Sequence, residues 1–169
     1  GVDIAGAQIA YAQQHYAGPG KEFIKIDSMP LPFPDEMFES ISCVEVIEHL
    51  DAPTTVTIFS EFLRVLRPGG KVIVTTPNYG SLWPMVETAV NQLSHVSYEE
   101  QHISKFRRTH LHSLFKRTGF STTMVTSFMS VSPFVAGISW NLADRTWELD
   151  QAISRFPGVG LLLLGIAWR

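Results

Sequence analysis

Cysteine is nearly absent from this chain of 169 residues: Cys43 stands alone, so no internal disulfide can form. Cys43 falls inside an apolar strand pattern and reads as a buried, inert thiol rather than a nucleophile. A reducing, cytoplasmic setting fits that usage. Long apolar runs are also missing. The longest, Val159 to Trp168, falls short of the roughly 20 residues that a membrane-spanning helix needs. Positive charge is scarce overall, with a formal net charge of -3. That leaves no electrostatic footprint for nucleic acid or for an anionic membrane. Lys105, Arg107, Arg108, Lys116 and Arg117 do gather locally, in the manner of a solvated helix face. There is no Met at the first position and no signal-peptide pattern. A nucleotide-binding α/β chain ordinarily opens with a strand and a Gly-rich turn. Here Gly1-Val2-Asp3 already has the look of a second strand, and the expectation is a fragment of a longer protein.

What is present is an alternation of strand and helix patterns. Hydrophobic residues make up 45% and charged residues 17%, which predicts a folded chain that buries roughly 70% of its unfolded surface. A strand is expected over Gly1 to Ile4, a helix over Ala5 to Tyr16 and a strand over Glu22 to Ile26. Pro30, Pro32 and Pro34 then enforce an irregular connection. Ile41 to Glu45 is apolar enough for a parallel strand buried on both faces. Pro53 suits the first turn of the next helix, with Asp51 as its cap. Val56, Phe59, Phe62, Leu63 and Leu66 form that helix's buried stripe. Pro68-Gly69-Gly70 is expected to end it, before a strand over Lys71 to Thr76. Helices are expected over Leu82 to Leu93 and Thr109 to Arg117, and a strand over Ser121 to Met129. The Trp-rich stretch Phe134 to Phe156 reads as partly helical. Pro157-Gly158 breaks it, and Leu161 to Trp168 is a final hydrophobic strand. The pattern predicts one α/β domain over residues 1–169, three-layered and built on a mainly parallel sheet.

Several residues have functional and structural readings side by side. Asp3, at a strand end, can accept from two ribose hydroxyls or cap the helix that follows. Asp27-Ser28 can meet an adenine edge or simply form a turn before the prolines. Glu45, Glu48 and His49 share one face if their turn is helical. They can hold a divalent metal, supply a general base through His49, or place Glu45 alone against a cofactor. The competing structural role is a polar lip over the sheet. His102 gains meaning only if its polar segment, Tyr98 to His102, folds back over Glu45 and His49. His95, His110 and His112 read as helix-surface residues, and His15 as a helix-end residue.

The order Gly-Val-Asp-Ile, Asp27-Ser28 with Pro-Leu-Pro-Phe, Val-Glu-Val-Ile-Glu-His-Leu, then Leu-Arg-Pro-Gly-Gly-Lys-Val-Ile-Val-Thr-Thr-Pro-Asn resembles the class I S-adenosylmethionine-dependent methyltransferases. The likeness continues through His102, the helix end at residues 114–120 and the last hydrophobic strand. The resemblance implies a Rossmann-like methyltransferase sheet, mainly parallel with one antiparallel strand, and S-adenosylmethionine as cofactor. It implies ribose contact at Asp3, adenine contact at Ile4, Asp27 and Ser28, and a place beside the methionine part for Glu45 and Val46. The family's first strand and Gly-rich loop have no counterpart here, so the sheet is expected to be N-terminally incomplete. The family strand order is three-two-one-four-five-seven-six. Without strand one, the strands at Gly1 to Ile4 and Ile41 to Glu45 lack their shared neighbour and are not expected to pair.

Val-Glu-Val-Ile-Glu-His-Leu with Gln-His-Ile-Ser-Lys-Phe is similar to ubiquinone-type O-methyltransferases. The Glu-x-x-Glu-His spacing also resembles small-RNA 2′-O-methyltransferases that use a metal. Low net charge and the apolar Phe134 to Trp147 region favour a small, hydrophobic acceptor over RNA. The expected activity is methyl transfer to such an acceptor, with His49 as the catalytic residue and no resident metal. Two other classes compete: a nicotinamide-dependent oxidoreductase, in which Asp3 would serve ribose equally well, and an incomplete, non-catalytic domain. No feature of the residues selects an oligomeric state.

Overall fold

A computed structural model describes residues 1–93, 101–154, 156 and 158–169. His95 and Pro157 lie outside the described residues, as does most of the Tyr98 to His102 segment. The chain divides into two compact units, Gly1–Pro34 and Asp35–Arg169.

The first unit is a small β-α-β turn. β1 (Val2–Asp3) pairs in parallel with β2 (Ile24–Lys25), and α1 (Gly6–Tyr16) connects them. Ile9 is the buried residue of α1. Asp3 Oδ1 accepts from the amide of Ala5, the N-cap residue of α1, at 2.7 Å, a turn ahead of the helix and not a side-chain cap of it. The helix stops at Ala17, ahead of Gly18-Pro19-Gly20, where Gly20 has φ of 73°. His15 lies in the last turn of α1, as expected.

The second unit holds a four-stranded sheet. Its elements are β3 (Phe38–Val44), a 3-10 turn (Ile47–His49), α2 (Ala52–Val65), β4 (Leu66–Pro77), α3 (Trp83–Leu93) and α4 (Arg108–Arg117). β5 (Thr122–Phe128), α5 (Ser132–Ala136), α6 (Trp140–Ser154) and β6 (Leu162–Trp168) follow. The strand order is β3-β4-β6-β5. β3 and β4 are parallel, and β6 runs antiparallel to both its neighbours. This is the expected arrangement, with the one reversed strand inserted last. β1 and β3 belong to separate sheets, with no ladder between them among the described residues.

Asp51 accepts from the Thr54 amide at 2.9 Å and starts α2, with Pro53 in the first turn. The expected stripe is right in part, with Val56 and Leu63 only half-buried. Phe59 and Phe62 are buried, and the Phe59 ring packs 5.6 Å from Phe115 of α4. Leu66, however, is a strand residue. α2 ends at Val65 and β4 begins at once. Pro68-Gly69-Gly70 is therefore a bulge inside β4, not a turn before it. The ladder slips there, from Phe38↔Leu66 to Ser40↔Lys71. Gly69 takes φ of 78°, and a Cβ on Gly70 would meet the Arg67 carbonyl at 2.9 Å. β3 also starts earlier than expected, at Phe38, because this bulged rung extends it.

The α5–α6 insertion is tied by one carboxylate. Asp150 is buried and accepts from the Ser130, Val131 and Ser132 amides and from the Ser130 and Ser132 hydroxyls, at 2.5–3.1 Å through Oδ1 and Oδ2. Burial alone would raise its pKa, but these hydrogen bonds outweigh burial and hold it below the ordinary value. A depressed carboxyl stabilises the fold above its unfolded pKa of about 3.9. That stability is lost as pH falls through the folded value. Asp150→Ala is expected to lower the urea midpoint at pH 7. Its deficit against wild type should shrink as pH falls below about 4. An equal deficit at pH 7 and pH 3 would remove the charge from this account.

Candidate functional site

β3 ends at Val44 because the next residue leaves extended geometry. Glu45 has φ of 50°, a left-handed conformation that side chains rarely adopt. Its amide still donates to the Thr75 carbonyl at 3.2 Å, closing the β3–β4 pairing. Such strain away from glycine collects at functional positions. Glu45 Oε1 is buried without a hydrogen-bond partner, as is the neighbouring Thr75 hydroxyl. Burial raises the Glu45 pKa, opposed by Thr75, His102 and His49.

In the 3-10 turn that follows, Glu48 is buried and His49 exposed, with Glu48 Oε1 3.9 Å from His49 Nε2. Glu48 is 1% exposed and accepts from the buried Thr76 hydroxyl at 3.0 Å. It is thus not the polar lip of the structural reading, nor does it share an outward face with His49. Burial pushes Glu48 up to about 7, with the Glu45 charge adding to the rise and Thr76 opposing it. His49 is exposed, and its Nδ1 lies 2.9 Å from the Gln101 carbonyl. A carbonyl only accepts, so Nδ1 carries the proton and the neutral ring keeps its lone pair at Nε2.

His102 does fold back. Its ring centroid is 5.3 Å from that of His49, and the backbone beside it is pinned by the Ser104 amide donating to Glu48 O at 2.9 Å. His102 is buried, with Nδ1 2.8 Å from Glu87 Oε1, which also accepts from the Tyr79 hydroxyl at 2.7 Å. Burial and Glu87 together raise the Tyr79 pKa, so its hydroxyl stays a donor. Thr76, Tyr79 and Glu87 escaped the sequence reading. The Thr-Thr-Pro-Asn-Tyr run after a buried strand was the available signal for the first two. Nothing local marks Glu87, which reaches the site only through the fold.

Glu48, His49 and His102 each offer one ligand atom, and these atoms lie within 4.8 Å of one another. Both imidazoles have Nδ1 against an oxygen acceptor, the arrangement that orients ring nitrogens toward an ion. The donor set fits a divalent first-row metal. Glu45, which the sequence grouped with them, is not among the three.

Asp3, Ile4, Asp27 and Ser28 are exposed, and Asp27 is ion-paired with Lys25. Val46 is 42% exposed and accepts from the His49 amide at 3.1 Å. Cys43 is buried, and burial pushes its thiol up to about 12, in keeping with an inert role. Lys105, Arg107, Arg108, Lys116 and Arg117 are exposed. His110 is exposed, and His112 meets the Thr123 hydroxyl at 2.7 Å.

A strained acid at the end of a parallel strand, followed by a titratable cluster, is the arrangement of an α/β enzyme site. Residues 1–74 match the methyltransferase domain family. The fold is Rossmann-like, as in the S-adenosylmethionine-dependent methyltransferases that the chain resembles. A sterol 24-C-methyltransferase from Gibberella zeae is 47% identical over 49 residues, covering 29% of this chain and 12% of that protein. A ubiquinone/menaquinone biosynthesis C-methyltransferase from Desulfotalea psychrophila is 29% identical over 90 residues, covering 52% of this chain and 36% of that protein. The chain therefore spans about an eighth and about a third of these two relatives. Among solved structures, a SAM-dependent methyltransferase from Thermotoga maritima superposes with a TM-score of 0.74 at 20% identity, over 99% of this chain and 72% of that one. At that identity the likeness is one of fold.

The Tyr79–Glu87–His102 network has a measurable energy. Glu87→Leu should cost about 1–3 kcal/mol in denaturant unfolding, since two buried donors lose their acceptor. Tyr79→Phe added to Glu87→Leu should cost less than Tyr79→Phe alone, because the hydroxyl has then already lost its Glu87 acceptor and keeps only the 3.0 Å contact with His102 Nδ1. Additive effects would mean that the three groups do not act together.

Proposed function

We propose that the protein transfers a methyl group from S-adenosylmethionine to a small, hydrophobic acceptor. The observation that carries this reading is Glu45 Oε1, buried without a hydrogen-bond partner at the carboxyl end of β3, in a carboxyl group that feels the charges of His49 and His102. A buried acceptor atom without a donor fits a ligand that brings one. By the family resemblance, Asp3, Ile4, Asp27 and Ser28 contact the nucleoside of the cofactor, while Glu45 and Val46 meet its methionine part. All of residues 1–169 then serve a single methyltransferase domain. The sulfonium cofactor supplies an already activated methyl. The chain's own residues position the acceptor, and orientation of this kind contributes several orders of magnitude.

If the acceptor is a hydroxyl, it must shed a proton as it attacks the methyl. His49 Nε2 is the proton-accepting atom in this reading, since Gln101 occupies Nδ1. The cluster of Glu48, His49 and His102 favours a second arrangement, in which these three hold a divalent ion that supplies positive charge to the acceptor. A hydrophobic acceptor is supported by relatives named for sterols and quinones, and by the apolar exposure of Phe134, Ile138, Trp140 and Trp147. The net charge of -3 supports a small molecule over nucleic acid, and the lone buried cysteine supports a cytoplasmic setting. No helix among the described residues is long and apolar enough to cross a membrane. The family match supports methyl transfer over hydride transfer with a nicotinamide.

Calorimetric titration with S-adenosylhomocysteine tests the reading, with NADH as the competing ligand. Asp3→Ala should weaken S-adenosylhomocysteine by about 1–3 kcal/mol, through the loss of charge-assisted hydrogen bonds. His49→Ala should reduce turnover far more than cofactor affinity, because it acts on the transferring step. Binding of NADH without S-adenosylhomocysteine would replace this reading with the oxidoreductase one. Binding of neither would leave a non-catalytic domain.

A further inference from the structure

Beside the histidine pair lies a feature that methyl transfer does not itself require. A cleft of about 830 Å³ separates α3 from the segment that leads into α4. Tyr79, Pro84, Glu87, Lys105 and Arg107 are among its lining residues. The Tyr79 amide donates to Phe106 O at 2.8 Å, which pins residues 105–107 against the end of β4. Phe106 turns inward and is buried, whereas Lys105 and Arg107 on either side of it are exposed. In extended backbone alternate side chains share a face, so these two cations project together. Lys105 Nζ stands 5.5 Å from the Tyr79 ring centroid. The stem of Arg107 lies over Gly80, where a Cβ would come within 3.7 Å of its Cγ. Among the described residues neither cation takes part in an ion pair, in contrast to Arg64, Arg67 and Arg169.

We propose that this cleft binds the carboxylate end of an amphipathic acceptor, with Lys105 and Arg107 as counter-charges and the Tyr79 ring as the apolar wall. The formal charge balance, with histidine counted neutral, selects a monoanion: Lys105 and Arg107 face one carboxylate, Glu87, and the His110 imidazole also lines the cleft, which leaves one positive charge uncompensated. A phosphate dianion would meet the same cations with a second negative charge against Glu87. The cleft is also tied to the reacting end, because Tyr79 and Glu87 line it and at the same time hold His102. An acceptor anchored by its carboxylate here is one side chain away from the His49–His102 pair. This assignment rests on the methyl-transfer reading for the word acceptor, and on the cleft alone for the anion.

The test titrates the protein calorimetrically with 4-butylbenzoate, 4-butylbenzamide and 4-butylphenyl phosphate, and separately with S-adenosylhomocysteine. The benzoate should bind about tenfold or more tighter than the amide, and tighter than the phosphate. Lys105→Gln and Arg107→Gln should each weaken the benzoate several-fold, and about tenfold or more together. Raising salt should narrow the gap between acid and amide, as screening predicts. Both variants lie on exposed side chains, and their unchanged thermal midpoints would show that the fold is intact. Equal binding of acid and amide, preference for the phosphate, or full benzoate affinity in the double variant would overturn the proposal. Failure of S-adenosylhomocysteine to bind would instead strike the methyl-transfer reading, and the two results separate the claims.

Discussion

The parallel pairing of β3 with β4 is the constraint from which the site follows. Six registered positions from Phe38↔Leu66 to Val44↔Thr75 hold the two strands, and the bulge at Gly69-Gly70 absorbs the slip in register. At the far end the Glu45 amide still reaches Thr75 O, while its own φ has already turned positive. That one residue converts a straight strand into a turn that sends Glu48 inward and His49 outward. β4 continues two residues longer and supplies the receiving groups in sequence. Thr75 takes the Glu45 amide, Thr76 holds the Glu48 carboxyl, and Asn78 pairs with Leu161 and Gly160. Tyr79 then meets Glu87 and Phe106. A shift of β4 by one residue would reverse which of these side chains faces the site.

Burial and charge pull against each other in this cluster. Glu45 and Glu48 are both raised by burial, and Glu48 is raised further by Glu45. The imidazoles of His49 and His102 offset part of that cost. The arrangement is kept because each polar group is held by a neighbour on another element: Glu48 by Thr76, His49 by Gln101, His102 by Glu87. Glu45 Oε1 and the Thr75 hydroxyl are exceptions, and an unpartnered buried acceptor marks the place where a ligand donor fits. The same network reaches the basic cleft through Tyr79, so His102 and the proposed anion anchor share one wall.

Much of the fold was legible because its signals are local. The Asp51–Pro53 start of α2, the glycine after α4 and the alternating apolar pattern of β6 each act within a few residues. The element order and the reversed last strand followed from those signals and from the family likeness. The Pro68-Gly69-Gly70 turn was misread because a bulge and a turn share their glycine chemistry, and only the register against Phe38 distinguishes them. At the site, Glu45, Glu48, His49 and His102 were visible as chemistry-bearing types at suggestive spacing. Their orientation was not. Spacing alone did not show that the positive φ of Glu45 and the tight 3-10 turn bury Glu48 and expose His49, while Glu48 Oε1 stays 3.9 Å from His49 Nε2. Glu87 was invisible because a glutamate on an amphipathic helix carries no mark of its eventual partners.

The central claim is that the carboxyl end of β3 receives the methionine part of the cofactor. The most direct measurement is a crystal structure of the protein grown with S-adenosylhomocysteine. The account predicts the ligand at that strand end, with one of its donor atoms within about 3.2 Å of Glu45 Oε1. Ligand bound elsewhere, or at that end with Glu45 Oε1 still lacking a donor, would contradict it.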